Sequence, residues 1–214
     1  QLALVECQAI GAHAIRRGQV EKDELVVVVG AGPIGIGVLQ VARSRGARVA
    51  MIDTNRDRLA LCRDELGADA VWHAVEDDVI AEIEAMNDGA LADVVFDATG
   101  NPKAMNRGFD FAGHGGRYVL VSVVKADITF NDPDFHKKEL TLLGSRNATR
   151  EDFETVTRLM ASGDLLTEPL ITHRGRLEDL PTLMPQWCAP GSGVIKAMVT
   201  LESAGHDSTA EHQA

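Results

Sequence analysis

Three glycines and one aspartate carry the most informative chemistry in this chain. Gly30, Gly32 and Gly35 stand at the spacing G-x-G-x-x-G within Val26-Val-Val-Val-Gly-Ala-Gly-Pro-Ile-Gly-Ile-Gly37. Asp53 closes the segment Arg48-Val-Ala-Met-Ile-Asp53, eighteen positions past Gly35. At this spacing the first glycine allows a tight turn, the second lets backbone approach a pyrophosphate, and the third lets a helix pack closely on a strand. Pro33 suits the first turn of a helix, where a missing N–H costs nothing. The free N–H groups and the positive dipole end at such a start attract an anion. Gly30, Gly32, Pro33, Ile34 and Gly35 are therefore the expected phosphate cradle. An acid about 20 residues further on can accept hydrogen bonds from ribose hydroxyls. The combination predicts a dinucleotide site, with a flavodoxin-like turn holding no dinucleotide as the alternative.

These residues need elements to hold them. Four successive valines read as a strand buried on both faces, as in a parallel sheet. Ile36, Val38, Leu39, Val41 and Ala42 then continue at helical spacing. Before this unit, residues 2–18 read as a helix with a basic end at Arg16-Arg17 and a stop at Gly18. Glu6 and His13 interrupt its apolar side, and on pattern alone both are solvated or capped helix residues. After Asp53, Asn55 caps an expected helix to about Leu66, stopped by Gly67. A short third strand covers 68–72, an acidic helix 75–86 with Val79, Ile80, Ile83 and Met86 inward, and a fourth strand 92–97. Asn101-Pro102 opens a helix to about Phe111. Gly113 to Gly116 reads as a turn, 117–122 as a fifth strand, and 128–130 and 140–143 as β-like.

Alternating strands and helices predict an α/β fold, a doubly wound parallel sheet. Ligands in such sheets sit off the carboxyl ends of the strands, which places Gly32, Asp53, Thr99 and Val121 to Val123 around one crevice. From Thr149 the pattern changes. A capped helix with Phe153, Val156, Leu159 and Met160 runs to Gly163, followed by a strand at 170–173, a helix at 177–187 with Pro181 near its start, and a last strand at 193–199.

Composition narrows the classes further. The 214 residues are 45% hydrophobic and 25% charged, with a net charge of −11. That balance argues against a nucleic-acid binder or an anionic-membrane binder, because phosphate contacts need clustered Lys and Arg. No apolar run is long enough to span a membrane, and no signal segment opens the chain. The three cysteines, Cys7, Cys62 and Cys188, lack C-x-x-C spacing and read as reduced cytoplasmic thiols. The chain opens on Gln1 and is already patterned at Leu2, so it is expected to be the interior of a longer protein.

With these residues placed, the chain resembles the zinc-dependent medium-chain dehydrogenases of the alcohol dehydrogenase superfamily, and most of all their sorbitol, galactitol and sugar-acid branch. The resemblance runs from about Leu4 to Leu201. It rests on Val5-Glu6 with Ala9-Ile-Gly-Ala-His-Ala14, the glycine stretch, Asp97-Ala-Thr-Gly100, Gly116-Arg-Tyr-Val-Leu-Val-Ser122, Lys138-Glu-Leu-Thr-Leu-Leu-Gly-Ser-Arg-Asn147 and Gly193-Val-Ile-Lys196. The chain departs from the family in reading Glu6-Cys7-Gln8 where Glu-Pro-Leu is usual.

The resemblance implies a division into residues 1–6 as the end of a catalytic domain, 7–145 as an NAD-binding Rossmann domain, 146–201 as a segment returning to the catalytic domain, and 202–214 as a disordered tail. It implies NAD and Zn2+ as cofactors, with most zinc ligands in an N-terminal domain this sequence does not include. Glu6 falls where the family puts a zinc ligand or a residue beside the metal, while His13 stays a packing histidine. Arg58 resembles the basic residue flanking the adenosine ribose. Thr99, Val121, Ser122 and Val123 fall on the nicotinamide side. Ser145, Arg146 and Asn147 fall where the family turns back toward substrate, Ser145 with the cofactor and Arg146 and Asn147 as the catalytic candidates. An arginine there can hydrogen-bond a polyol or carboxylate oxygen. The implied activity is hydride transfer between nicotinamide and a secondary alcohol of a polyol or sugar acid, in a homodimer or homotetramer.

Three other readings bear on this. A short-chain dehydrogenase needs a Lys four positions after a Tyr, and the single tyrosine, Tyr118, has Ser122 there. A zinc-free quinone-reductase-like member and an inactive nucleotide-binding remnant remain as alternatives.

Overall fold

The valine run occupies the middle of a six-stranded parallel sheet. The computed structural model describes residues 2–201. After a single 3-10 turn at Leu2–Leu4, α1 spans Val5–Arg17 and leads into β1 at Leu25–Val29, whose five residues are all buried. Each fully buried valine contributes roughly 1.5–3 kcal/mol. The chain continues through α2 (Pro33–Ser44), β2 (Arg48–Asp53), α3 (Arg56–Asp64), β3 (Ala70–His73), α4 (Val79–Met86), β4 (Ala92–Asp97), α5 (Pro102–Phe111) and β5 (Ala112–Leu120). It then forms α6 (Asp132–Lys137), β6 (Thr141–Gly144) and α7 (Arg150–Ser162).

The strand order is β3-β2-β1-β4-β5-β6 with every pairing parallel. The order reverses between β1 and β4, where Val29 lies opposite both Ile52 and Asp97. Period-two alternation sends the valines to two cores. Val27 and Val29 join Val79 and Ile83 of α4 and Phe109 of α5. On the opposite face, Val28 lies against Gly35 of α2, and the Phe96 ring lies against Gly18 at the end of α1.

Local hydrogen bonds and one glycine bulge explain where elements start and stop. Asn55 accepts a hydrogen bond from Arg58 N–H and caps α3. The acidic helix opens at Val79, four residues later than the sequence pattern suggests. Asp77 accepts from His73 N–H at 2.6 Å, holding 74–78 as a turn, and Asp78 becomes the cap. Ile80, expected inward, is exposed. The glycines at 113–116 do not separate β5 from the preceding helix. They lie within β5, whose register jumps from Ala92–Ala112 to Val94–Arg117. A Cβ on Gly116 would sit 2.7 Å from the Gly113 carbonyl oxygen, so the bulge requires glycine. The strand stops at Leu120, which leaves Val121 and Ser122 in the following turn. Residues 128–130 form no strand, because Thr129 N–H donates to the Asn106 side chain rather than to a neighbouring strand.

Contacts divide the chain into two units, 1–169 and 170–214. The second unit pairs β7 (Ile171–Arg176) with β8 (Lys196–Thr200) in parallel, with α8 (Leu180–Trp187) between them in sequence. Gly175 leaves room for Leu183 and Trp187. The expected tail, 202–214, lies outside the described residues. Among the described residues no helix is long and apolar enough to cross a membrane.

Candidate functional site

A cavity of about 580 Å³ opens where the strand order reverses. The turn after β1 forms its floor. Gly30 has φ +104°, and a Cβ there would press on the Ala98 carbonyl and the Thr99 side chain at 3.0–3.2 Å. A Cβ on Gly35 would overlap the Gly30 carbonyl oxygen, so α2 can approach β1 only with glycine at that position. Gly32 is different. Nothing lies within 4 Å of its would-be Cβ, which points into open space at the first turn of α2. That empty approach fits a pyrophosphate placed against the helix N-terminus. Pro33 is the first residue of α2, and Ile34 follows it.

Asp53 ends β2 on one side of this turn. Its Oδ2 accepts from Ala31 N–H at 2.6 Å and its Oδ1 from Asn55 N–H at 2.8 Å. Both donors are backbone N–H groups, and the carboxylate keeps lone pairs for ribose hydroxyls. Arg58 lines the same end of the cavity. Arg56, the first residue of α3, is turned into an ion pair with Glu76. Beneath Asp53, Cys62 is fully buried, and burial first, then the Asp53 charge, pushes its thiol up to about 12.

The sequence reading missed the outer wall. Thr54, Ala74, Val75, Asn101, Lys103 and Arg107 line the cavity. Arg107 donates to the Ala74 carbonyl at 2.8 Å and lies 5.4 Å from the Phe111 ring centre. Lys103 and Arg107 are four apart on α5, and this spacing after the Asn101 cap was the available signal. Together with Arg58 they give a local basic lining to a chain of net charge −11.

On the other side of the glycine turn, Asp97 is fully buried at the end of β4. Burial pushes its carboxyl up, opposed by hydrogen bonds from Thr99 N–H, the Ser122 hydroxyl and the Thr99 hydroxyl. Thr99 lines the cavity, whereas Val121, Ser122 and Val123 lie beyond its lining, and Val123 is 92% exposed. Ser145 follows β6. Its N–H donates to Leu120 O at 2.9 Å, and its buried hydroxyl oxygen has no hydrogen-bond partner among the described residues. Such an orphan fits a residue that completes its hydrogen bonding on a ligand. Arg146 and Asn147 are exposed and do not reach the cavity, and Asn147 has φ +58°.

Glu6 lies exposed in the first turn of α1. No group of three or more His, Cys, Asp or Glu side chains able to hold a metal occurs among the described residues. These residues therefore do not by themselves fit a catalytic zinc ion, which takes three protein ligands and an open position. His13, expected as a packing residue, instead meets the Asp152 carboxylate, Nδ1 to Oδ2, at 2.8 Å. No local pattern around His13 signals this contact, because the partner lies on α7.

A parallel sheet in this order, with a glycine turn entering a helix and an acid ending the next strand, defines the dinucleotide-binding class of α/β folds. The comparisons narrow the class. A model of the zinc-binding dehydrogenase family matches residues 33–162, and the chain belongs to that family. It is 41% identical over 198 residues to L-galactonate-5-dehydrogenase of Escherichia coli (strain K12), covering 92% of this chain and 58% of that protein. Sorbitol dehydrogenase of Halalkalibacterium halodurans is 32% identical over 173 residues, covering 80% and 50%. The crystal structure of 2R,3R-butanediol dehydrogenase from Bacillus subtilis superposes with a TM-score of 0.85 at 27% identity, covering 94% of this chain and 57% of that one. The chain spans about half the length of the curated relatives it matches.

Proposed function

We propose that this chain is the cofactor-binding portion of an NAD-dependent, zinc-type dehydrogenase that transfers hydride between a secondary alcohol of a polyol or sugar acid and nicotinamide. The observation that carries the reading is the open approach at Gly32 beside the backbone-held Asp53 carboxylate. Gly30, Gly32, Pro33, Ile34 and Gly35 cradle the pyrophosphate, Asp53 and Arg58 take the adenosine ribose, and Thr99, Val121, Ser122, Val123 and Ser145 face the other nucleotide half. Bound nicotinamide supplies the hydride-accepting carbon. The protein's part is to orient the ring and exclude water around it. The polyol or sugar-acid class is supported by the relatives named above.

NAD rather than NADP follows from Asp53, whose charge lies where a 2′-phosphate would sit. Arg58 and Lys103 oppose that repulsion only in part. Titrating NADH and NADPH against the chain tests the assignment, and equal or tighter NADPH binding rejects it.

Glu6 is the one zinc ligand this chain would offer, with the others coming from outside the described residues. Arg146 and Asn147 are proposed to reach substrate from the segment 146–201, which we assign to the catalytic domain, with 7–145 as the cofactor domain. Free cysteines fit a reducing cytoplasm. The edge strand β6, with Leu142 exposed, is the proposed pairing surface of a homodimer or homotetramer. Sedimentation showing monomer alone at about tens of micromolar, concentrations where a modest interface is occupied, would count against it.

A further inference from the structure

Asp97 does something that neither the glycine turn nor Asp53 does, because it joins two separate turns. Its Oδ1 accepts from Thr99 N–H at 3.0 Å and from the Ser122 hydroxyl at 2.8 Å. The Thr99 hydroxyl lies 3.0 Å from both carboxylate oxygens. The Asp97 main-chain oxygen accepts from Val121 N–H at 2.9 Å and from Ser122 N–H at 3.2 Å. The chain of bonds runs on from Thr99, whose hydroxyl accepts from Asn101 N–H at 3.0 Å, to Asn101, whose side chain caps α5. A single buried carboxylate thus ties together the turns after β4 and β5 and the start of α5.

An apolar side chain would fill this buried position without the desolvation cost of a carboxylate. What an apolar residue cannot do is accept from both turns at once. Topology says what lies above them. A dinucleotide with its pyrophosphate at Gly32 and one ribose at Asp53 lies over β2 on one side of β1. Its other half must cross β1 and lie over β4 and β5, whose ends are the turns that Asp97 joins.

We propose that Asp97 is a positioning residue that locks the β4 and β5 turns into one floor for the nicotinamide half of the cofactor. The inference rests on the cofactor site proposed above. The Ser122 and Thr99 hydroxyls act on the ring through this tie, and the adenosine half, held by Asp53, is independent of it.

The test is calorimetric titration of the 214-residue chain with NADH and with ADP-ribose, which has the adenosine half and lacks the nicotinamide. Asp97→Asn keeps the side-chain size, and the two hydroxyls can turn to accept from its amide, so folding should persist and is checked by thermal unfolding. The expected result is NADH binding weakened about tenfold with ADP-ribose binding within about twofold of wild type. Ser122→Ala should weaken NADH to a lesser degree, again sparing ADP-ribose. Equal losses for both ligands, or an unchanged NADH affinity, would overturn the proposal. If Asp97→Asn fails to fold, Asp97→Ser, which keeps a hydroxyl acceptor at the same position, decides by the same two outcomes. A wild-type chain that binds neither ligand overturns the cofactor site itself, and the role of Asp97 falls with it.

Discussion

Arg16 and Asp152 are 136 residues apart in sequence and 2.9 Å apart in space, Nε to Oδ1. The pair fastens α7 onto α1. Asp152 has a side chain only 2% exposed, and it also accepts from Thr149 N–H and the Thr149 hydroxyl, each at 2.8 Å. Burial alone would push its carboxyl up. Arg16, then Thr149, then His13 outweigh burial and hold it well below the usual carboxylate range.

A carboxyl depressed in the folded state contributes stability that is present above its unfolded pKa of about 3.9 and is lost as pH falls through the folded value. Asp152→Asn should therefore cost about 1–3 kcal/mol at pH 7, because Arg16 keeps partial access to solvent. The gap between variant and wild type should narrow as pH drops below about 4. Urea unfolding at a series of pH values measures it, and a gap that stays constant into strong acid would refute the linkage.

Gly32 and Gly35 should fail in opposite ways. Gly32→Val places its branches in open space, so thermal stability should change little while NADH affinity is lost. Gly35→Ala drives a methyl into the Gly30 carbonyl oxygen and should destabilise the fold by about 1–3 kcal/mol. Paired melting curves and titrations distinguish the two. Wild-type NADH affinity in Gly32→Val would show that the cradle is misplaced.

The cysteines should separate by reactivity. Cys188 is exposed, whereas Cys62 is buried and its thiol is pushed up to about 12. A maleimide should label Cys188 at the rate of a free thiol and leave Cys62 slower by a factor of about 100 or more. Mass mapping after a short pulse reads this directly. Fast labelling of Cys62 in the native protein would mean that α3 opens locally.

The 214-residue chain should bind NAD yet oxidise no polyol or aldonate, with or without added zinc. No metal-holding group that would lower the pKa of a substrate alcohol is assembled among its described residues. An NADH-formation assay over a substrate panel tests this. Reproducible turnover by the purified chain would show that its catalytic residues lie elsewhere.

The central sheet was legible because its signals are local. Four valines, three glycines and Asp53 lie within 28 consecutive residues, from Val26 to Asp53, and each needs only its neighbours to be interpreted. Parts set by distant partners were not legible. Asp97 looked like the end of a strand until Ser122 met it, and His13 looked like packing until Asp152 met it from α7. The Gly113 to Gly116 stretch looked like a turn because glycine is the turn residue, yet the same freedom serves a bulge inside a strand. Lys103 and Arg107 were passed over because surface cations on a helix are common, and only the cavity gives them a role.

The pairing of β1 with β4 has a kinetic consequence. β1 and β2 are joined through α2 and can dock early, whereas Val29 meets Asp97 only after two further strands and helices have been laid down. Closing that loop costs chain entropy before any contact rewards it. The cavity does not exist until this step is complete, since Ala98 and Thr99 form its far wall. A nucleotide that binds there recognises the finished sheet and no earlier species. At a hundredfold excess over its Kd it would deepen the native well by about 2.7 kcal/mol. Refolding begins without it. Its grip is felt afterwards, as slower escape from the native state and as amide protons near β4 that exchange more slowly with solvent.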